Sequence, residues 1–431
     1  LAIVVASAAA LVAELAGTGG RAAAGLVALF VGSLAAHAAM RRDFDAVRPW
    51  THGAVDAALG GAFGGALALV VVPLTHTTNE QILLSVLLLV VLEIGRERPA
   101  RDARTAVAVW AVLAVGLTFV EPLRGEHTLR TVRSWYGEFR VMEYEADDAL
   151  HHHLTLEHQH TVHGAQYLAD DLLDLPTAYY SIYSGAGMAM NALQDARGPA
   201  AGLRLGVVGL GTGALASYAD ANDTVRFFEI DARNAALNRG PDPVFRFLSL
   251  SEGATDVVVA DGRRALRREE DRGAPRYDAL FLDAFSGGHV PTHLLTLEAF
   301  ELYAERVRRD GWIAVHTSNT TLDLRPILYQ AAEHVGARAW FVRNRARAAN
   351  DPSVEQTHLV MLADWIVIGW DASPWDALQA RLQPAAAAGD VVLQDARNVT
   401  FDAIRPWTDD RRSVWSVWQP RVGDRERPAT P

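Results

Sequence analysis

The sequence of 431 residues contains no cysteine. Disulfide bonds, thiolate catalysis and cysteine metal sites are therefore excluded. It also contains no lysine, so all 40 basic residues are arginine, and the net charge is −11. This acidic charge balance argues against a nucleic-acid-binding surface, and we expect no nucleic-acid partner.

Charged residues are scarce in the first part of the chain, where almost continuous apolar segments occupy 1–15, 22–40, 54–74, 81–94 and 105–120. A membrane span needs roughly 20 apolar residues, and the second and third segments satisfy this easily. Glycines spaced four apart in the third segment, Gly60 with Gly64 and Gly61 with Gly65, favour close helix packing. The sequence predicts a bundle of transmembrane helices over 1–122 in a lipid bilayer, and a homo-oligomer.

Residues 128–166 show short alternating runs rich in aromatic and β-branched residues between turn signals. This pattern is typical of an antiparallel sheet and predicts a small β domain over 123–175. Histidines alternate there at His151, His153, His158 and His160. Because no partner stands at a recognised ligand spacing, we interpret them as polar sheet faces and expect no metal.

From residue 176 onward, strand-like and helix-like segments alternate. The strands are predicted at 256–260, 278–283, 312–317, 338–342 and 358–369, with helices that include 293–308 and 324–335. This alternation predicts a Rossmann-like α/β domain over 176–431 with a mostly parallel, doubly wound sheet. In such sheets the ligand lies beyond the carboxyl ends of the strands.

A glycine turn stands at the start of that domain, within LRLGVVGLGTGALASYADANDTVRFFEID (203–231). An apolar run meets Gly209, Gly211 and Gly213, and a helix-like stretch then leads to a second β-rich run that ends in Glu229 and Asp231. Glycines let the backbone approach a ligand, and an acid ending the second strand can accept hydrogen bonds from ribose hydroxyls. The pattern predicts a nucleoside ligand, but it also satisfies the loose dinucleotide form, so NAD(P) and adenosyl sulfonium compounds both remain open.

Acids follow three of the predicted strands: Glu229, Asp261 and Asp283. A single acid in that place is often a helix cap, but three of them at the ligand edge favour a site. We expect Glu229 to hold the ribose, Asp261 to accept from the adenine amino group, and Asp283 to face the reacting end of the ligand.

Several short motifs occur in order between about residues 128 and 418. They are SWYGEFRV (134–141), HGAQ (163–166), PTAYY (176–180), GLGTG (209–213), FFEID (227–231), VADGR (259–263), LDAFSGGHVPTHLLT (282–296) and WTDD (407–410). With these motifs the chain resembles the spermidine synthase family of aminopropyltransferases, particularly its membrane-fused bacterial branch. Members have a small β domain before a methyltransferase-like domain. They bind decarboxylated S-adenosylmethionine, transfer its aminopropyl group to an amine, and release methylthioadenosine.

The resemblance implies roles for individual residues. Asp283 would accept a proton from the attacking nitrogen, and Gln166 with Tyr179 or Tyr180 would complete the catalytic set. The implied cofactor-binding residues are Gly209, Gly211, Gly213, Glu229, Asp231, Asp261, Gly262 and Ser286. The donor implies a cytoplasmic catalytic domain on the bacterial inner membrane, in a multi-pass protein.

Two positions depart from the family pattern. His163 stands where soluble members have an aspartate, and Gly287 with Gly288 occupies the place of a second acid. Asp409 and Asp410 could restore part of that charge or could begin a helix. The amine acceptor therefore stays open. The alternatives are ring closure of the aminopropyl group to azetidine, methyl transfer from S-adenosylmethionine, and a nucleoside sensor without turnover, with NAD-linked oxidoreduction ranked last.

Overall fold

A computed structural model describes residues 127–158, 161–198, 201–284, 290–319, 322–344, 359–370, 372–399, 401 and 404–418. No helix in these ranges is long and apolar enough to cross a membrane. The longest, Ala372–Ala388, has 17 residues and includes Pro384, whereas a span needs roughly 20 apolar residues. This finding corrects the predicted transmembrane bundle and the predicted multi-pass location in the inner membrane. The apolar segments of 1–122 that prompted both lie outside the described residues.

The first described element is a four-stranded antiparallel sheet with the order β1-β2-β3-β4. Its strands are β1 (Thr128–Ser134), β2 (Gly137–Tyr144), β3 (His153–His158) and β4 (Thr161–Tyr167). The alternating pattern places Val141 and Leu156 on a buried face, which packs against Leu237 and Phe245 from the following domain. The prediction of a small antiparallel sheet is confirmed.

A second sheet has eight strands in the order β12-β10-β11-β9-β8-β5-β6-β7. The strands are β5 (Arg204–Val208), β6 (Thr224–Glu229), β7 (Ala254–Val259), β8 (Tyr277–Leu282), β9 (Val307–His316), β10 (Arg338–Asn344), β11 (Asp364–Gly369) and β12 (Val391–Asp395). From β7 to β9 all neighbours pair in parallel, whereas β11, β10 and β12 pair antiparallel. The doubly wound prediction holds for the parallel part, and the arrangement is that of a methyltransferase-like α/β fold.

The chain order changes direction within this sheet at β5. From β5 the chain proceeds outward through β6 to β7, and then returns to the other side of β5 to form β8 and β9. Ligands of open α/β sheets bind at such a switch point, outside the carboxyl ends of the strands. Buried apolar side chains form one cluster on each face of this sheet. One cluster includes Phe227 and Trp312, and the other includes Tyr277 and Leu280.

The described helices cover these faces. They are α1 (Gly185–Arg197), α2 (Ala232–Asn238), α3 (Phe247–Leu250), α4 (Gly262–Asp271), α5 (Leu297–Arg306), α6 (Arg325–His334) and α7 (Ala372–Ala388). Side chains cap the starts of four of them, Ser184 for α1, Asp231 for α2, Asp261 for α4 and Thr296 for α5. Each such cap stabilises a helix by about 1 kcal/mol.

The helix expected after the glycine turn differs from the prediction. A short 3-10 helix, Ala214–Tyr218, occupies this place, and Gly213 begins it in the left-handed conformation. The chain then turns at once, because the Asp223 side chain accepts hydrogen bonds from the backbone N–H groups of Leu203 and Asp220.

Candidate active site

The glycine turn brings three backbone segments together. A Cβ at Gly209, whose φ is +99°, would lie 2.0 Å from the backbone oxygen of Asp283, which follows β8. A Cβ at Gly211, whose φ is +55°, would lie 2.7 Å from the backbone oxygen of His163 in β4. These glycines are therefore required by the approach of neighbouring backbone, and they also line the cavity described next.

A cavity of about 240 Å³ lies at the carboxyl ends of β5, β6, β7 and β8. Part of the small sheet also contributes to its wall. The predicted site residues that line it are Tyr179, Gly209, Gly211, Glu229, Asp231, Asp261, Gly262 and Asp283. Gly213, Gln166 and Tyr180 are not among its lining residues, and Ser286 with Gly287 and Gly288 lies outside the described residues.

Glu229, the last residue of β6, is held by donors of its own chain. Its carboxylate accepts hydrogen bonds from the backbone N–H of Leu210 at 3.1 Å and of Asp231 at 2.8 Å, and from Nδ2 of Asn234 at 3.0 Å. Burial raises the pKa of Glu229 in spite of these bonds. A carboxylate has about four acceptor positions, so Glu229 retains capacity for a ligand hydroxyl.

Asp231 connects α2 to the small sheet. One carboxylate oxygen caps α2 by accepting from the backbone N–H of Arg233 at 2.8 Å. The other accepts from the Ser134 hydroxyl at the end of β1. Asp231 thus fixes the β1–β2 hairpin, and with it the ring of Tyr136, beside the cavity.

Asp261 lies at the outer end of the cavity, where it caps α4. Its carboxylate accepts from the backbone N–H of Arg264 at 2.9 Å and contacts Nε2 of His293 at 2.9 Å. The hydrogen bond with His293 is the main reason why the pKa of Asp261 is lowered. A ligand amino group that binds to Asp261 therefore also lies close to His293, which lines the cavity as well.

Asp283 occupies the other end, directly after β8. Its carboxylate accepts a hydrogen bond from the Tyr180 hydroxyl and lies 2.7 Å from Nδ1 of His316. Burial alone would raise the pKa of Asp283, but the charge and hydrogen bond of His316, together with the Tyr180 hydroxyl, outweigh burial and lower it. Burial and the negative charge of Asp283 raise the pKa of Tyr179 and Tyr180 well above the ordinary tyrosine value. The tyrosines therefore stay protonated, and Asp283 stays charged.

His316 is a site residue that the sequence analysis missed. It is the last residue of β9, next to β8, and its ring stacks between Tyr179, at 4.6 Å between centroids, and Trp365, at 4.8 Å. Its Nε2 lies 2.8 Å from the Ser318 hydroxyl oxygen, which in turn accepts from the backbone N–H of Asp364. The signal was present in the sequence, because His316 is the second-to-last residue of the predicted strand 312–317, close to the ligand edge.

Gln166 has a different environment from the one that the resemblance implied. Its side chain is buried, its Nε2 donates to the backbone oxygen of Leu173 at 2.8 Å, and its Oε1 accepts from the backbone N–H of Arg246 at 2.8 Å. Both ends of the amide thus join β4 to neighbouring loops.

Asp409 also has protein partners. Both of its oxygens accept from the Arg263 guanidinium, at 2.6 and 2.7 Å, and one accepts from the Thr296 hydroxyl at 2.9 Å. Neither Asp409 nor the exposed Asp410 lines the cavity. In the part of the chain that the structure describes, the WTDD motif ties the C-terminal segment to α4 and α5.

The small sheet contributes an apolar and aromatic wall to the cavity, formed by Phe139, Leu156, His158 and His163. The rings of Phe139 and His158 are stacked at 4.6 Å, and those of His158 and His163 lie 5.7 Å apart. Burial lowers the pKa of His163 to about 4, so this ring is neutral near pH 7. Within the described ranges, no group of three or more His, Asp or Glu residues is arranged to hold a metal ion.

Comparison with known proteins gives likenesses to solved structures only. No protein-family model matches the chain, and no curated protein is similar to it. A probable spermidine synthase from Corynebacterium glutamicum is 16% identical with a TM-score of 0.44, covering 62% of this chain and 91% of that one. Spermidine synthase from Thermotoga maritima is 12% identical with a TM-score of 0.39, covering 58% and 75%. Human methyltransferase-like protein 13, solved with SAH, is 17% identical with a TM-score of 0.32, covering 52% and 93%.

Proposed function

We propose that this chain is an alkyltransferase that binds decarboxylated S-adenosylmethionine, moves its aminopropyl group to a nitrogen, and releases methylthioadenosine. The observation that carries the proposal is the single cavity in which Glu229 and Asp261 lie at the ends of β6 and β7, and Asp283 lies at the end of β8. In this proposal Glu229 holds the ribose, Asp261 holds the adenine, and the charged Asp283 faces the reacting end of the donor.

The charges of the cavity favour the decarboxylated donor over S-adenosylmethionine. Four carboxylates line the cavity, those of Glu229, Asp231, Asp261 and Asp283, and no arginine is among its described lining residues. Opposite charges attract strongly in a partly buried site, so a cationic sulfonium with a terminal amine fits this lining. The carboxylate of S-adenosylmethionine would need a cationic partner that the described lining does not supply.

The chemistry requires little beyond positioning and one base. The nitrogen lone pair attacks the carbon next to the sulfonium sulfur, the C–N bond forms, and the C–S electron pair returns to sulfur as methylthioadenosine leaves. The proton lost by the nitrogen passes to the Asp283 carboxylate, which is unprotonated near pH 7 because its pKa is lowered. The Tyr180 hydroxyl and His316 hold that carboxylate in place.

A second reaction uses the same atoms. The donor's own terminal amine can attack the carbon next to sulfur and close a four-membered azetidine ring, because an intramolecular nucleophile needs no further binding step. The observation that favours it is that Asp283 is the only carboxylate at the reacting end among the described lining residues.

Calorimetry followed by turnover tests the proposal. We expect methylthioadenosine and decarboxylated S-adenosylmethionine to bind, NAD not to bind, and S-adenosylmethionine to bind more weakly. Asp283→Asn should retain nucleoside binding while it lowers the release of methylthioadenosine by about 10²- to 10⁴-fold, the usual contribution of a general base. The exposed Asp271→Asn is the matched control. Tight NAD binding, or unchanged turnover in Asp283→Asn, would overturn the proposal.

A further inference from the structure

The cavity wall formed by the small sheet is apolar and aromatic, whereas the wall formed by the carboxyl ends of β5, β6, β7 and β8 carries carboxylates. Phe139 and Leu156 are buried apolar side chains on adjacent strands, and His158 stacks on Phe139. All four described carboxylates of the lining come from the other sheet or its loops. A substrate that enters between the two therefore meets negative charge on one side and apolar surface on the other.

His163 lies where this wall meets the reacting end. Both residues line the cavity, and the backbone oxygens of His163 and Asp283 lie against Gly211 and Gly209 of the same turn. Burial lowers the pKa of His163 to about 4, so its imidazole is neutral near pH 7. Its Nε2 is buried and has no hydrogen-bond partner among the described residues. A buried polar atom without a partner is costly, so a ligand that offers a hydrogen-bonding group here would be favoured.

The carboxylates of the nucleoside end are held in place by partners within the chain. Glu229 accepts from the loop after β5, Asp231 from Ser134, and Asp261 from His293 and α4. Asp283, whose partners are the Tyr180 hydroxyl and His316, is the carboxylate at the reacting end among the described lining residues. A second ammonium group on the acceptor would lose its hydration against Phe139 and Leu156, which strongly opposes binding unless a carboxylate compensates.

We propose that the acceptor is a primary monoamine with an apolar body, whose nitrogen lies between Asp283 and His163 and whose carbon chain packs on Phe139 and Leu156. This inference rests on the proposed alkyl transfer and names its substrate class. The amine enters uncharged, its nitrogen bonds to the aminopropyl carbon as the C–S bond breaks, and its proton passes to the Asp283 carboxylate and then to solvent.

The test uses the full chain with decarboxylated S-adenosylmethionine and follows methylthioadenosine and alkylated amine by mass spectrometry. The acceptors are hexylamine and phenethylamine, compared with putrescine and spermidine. We expect kcat/KM to be at least about tenfold higher for the monoamines, since a factor of ten is the smallest preference that one unpaired buried charge should cause. His163→Asp adds a carboxylate to the wall and should shift the preference toward putrescine, whereas His163→Asn should keep the monoamine preference.

The outcomes separate the inference from the function beneath it. His151→Asn changes a histidine that does not line the cavity, and it should leave the acceptor preference unchanged. Preference for putrescine in the unchanged chain overturns the inference while alkyl transfer stands. Release of methylthioadenosine without any added amine also overturns it, in favour of ring closure. If a nucleoside binds but methylthioadenosine is not released under any condition, the proposed function itself is wrong.

Discussion

Glu229 shows how single residues prepare the site before a ligand arrives. Three donors of the chain, from Leu210, Asp231 and Asn234, fix its carboxylate at the end of β6. An acid that is already fixed loses little conformational freedom when a ribose binds. The cost of this arrangement is desolvation, which is why the pKa of Glu229 is raised.

Glu229→Gln should weaken methylthioadenosine binding by about 1.5 to 3 kcal/mol, because a hydrogen bond to a charged acceptor is lost. Glutamine keeps the size of the side chain but turns an NH2 group toward N–H donors that now reach a carboxylate oxygen, so the melting temperature should also fall relative to the exposed control Glu252→Gln. Calorimetry measures the affinity. Equal affinity in the variant and the unchanged chain would remove Glu229 from the ribose site.

The raised pKa of Glu229 gives binding a pH dependence. The charged form is the better acceptor, and a raised pKa means that the carboxyl group takes up its proton at a higher pH than an ordinary glutamate does. Affinity for methylthioadenosine should therefore begin to fall, on acidification, above the ordinary glutamate range of about 4.3. Titration from about pH 8 down to about pH 4.5, just above the ordinary glutamate value, checks this. Constant affinity in the unchanged chain would contradict it.

His316 determines how Asp283 titrates. Without His316, burial would be the dominant influence and would raise the pKa of Asp283. His316→Phe keeps a ring between Tyr179 and Trp365 but removes the donor to Asp283. We expect the acid limb of kcat/KM to move to higher pH by roughly 1 to 3 units, the usual effect of one nearby charge.

The control for this variant is His334→Phe, which breaks a surface pair with Glu301. It should leave the pH profile unchanged. If His316→Phe lowers activity equally at every pH, His316 has only a packing role.

The sequence could predict the acids but not their partners. Glu229, Asp261 and Asp283 follow apolar runs, and the carboxyl ends of parallel strands meet at one edge, so their proximity follows from local pattern alone. The environment of Gln166 could not be predicted, because one of its partners is the backbone of Arg246, 80 residues away. His316 was missed because only acids were sought at strand ends.

At the scale of elements, the contact between the β5 turn and the chain after β8 sets the position of Asp283. Asp283 donates its backbone N–H to Val208 at 2.8 Å, and its backbone oxygen lies where a Cβ of residue 209 would be. The two segments are therefore locked together at the centre of the sheet.

Gly209→Ala tests that contact against Gly273→Ala. Both glycines have positive φ, but a Cβ at Gly273 would have no atom within 4 Å. The left-handed conformation should cost Gly273→Ala about 1 to 2 kcal/mol of unfolding free energy, and the clash with Asp283 should add about 1 to 3 kcal/mol at residue 209. Urea unfolding measures both. Equal losses in the two variants would contradict the close contact.

Element prediction succeeded where the pattern was local. The run predicted as a strand at 278–283 forms β8, Tyr277–Leu282, because residues 279–282 are apolar and the whole strand is buried on both faces. The runs predicted as strands at 338–342 and 358–369 overlap β10 and β11, but their antiparallel pairing and the strand β12 were not predicted. The helix expected after Gly213 is a short 3-10 helix, and the turn held by Asp223 follows it.

At the scale of the whole molecule, charge should influence how the donor is captured. The chain has a net charge of −11, and four carboxylates line the described cavity. Such a field attracts a cationic sulfonium compound and acts little on neutral methylthioadenosine.

Raising the ionic strength from about 0.01 M to about 1 M shortens the Debye length from about 30 Å to about 3 Å. We expect kcat/KM for decarboxylated S-adenosylmethionine to fall by about tenfold or more over this range, as electrostatic steering is screened. The inhibition constant of methylthioadenosine should change by less than about twofold, because a neutral ligand lacks that attraction. Parallel changes in both quantities would show that salt acts on the fold and not on capture of the donor.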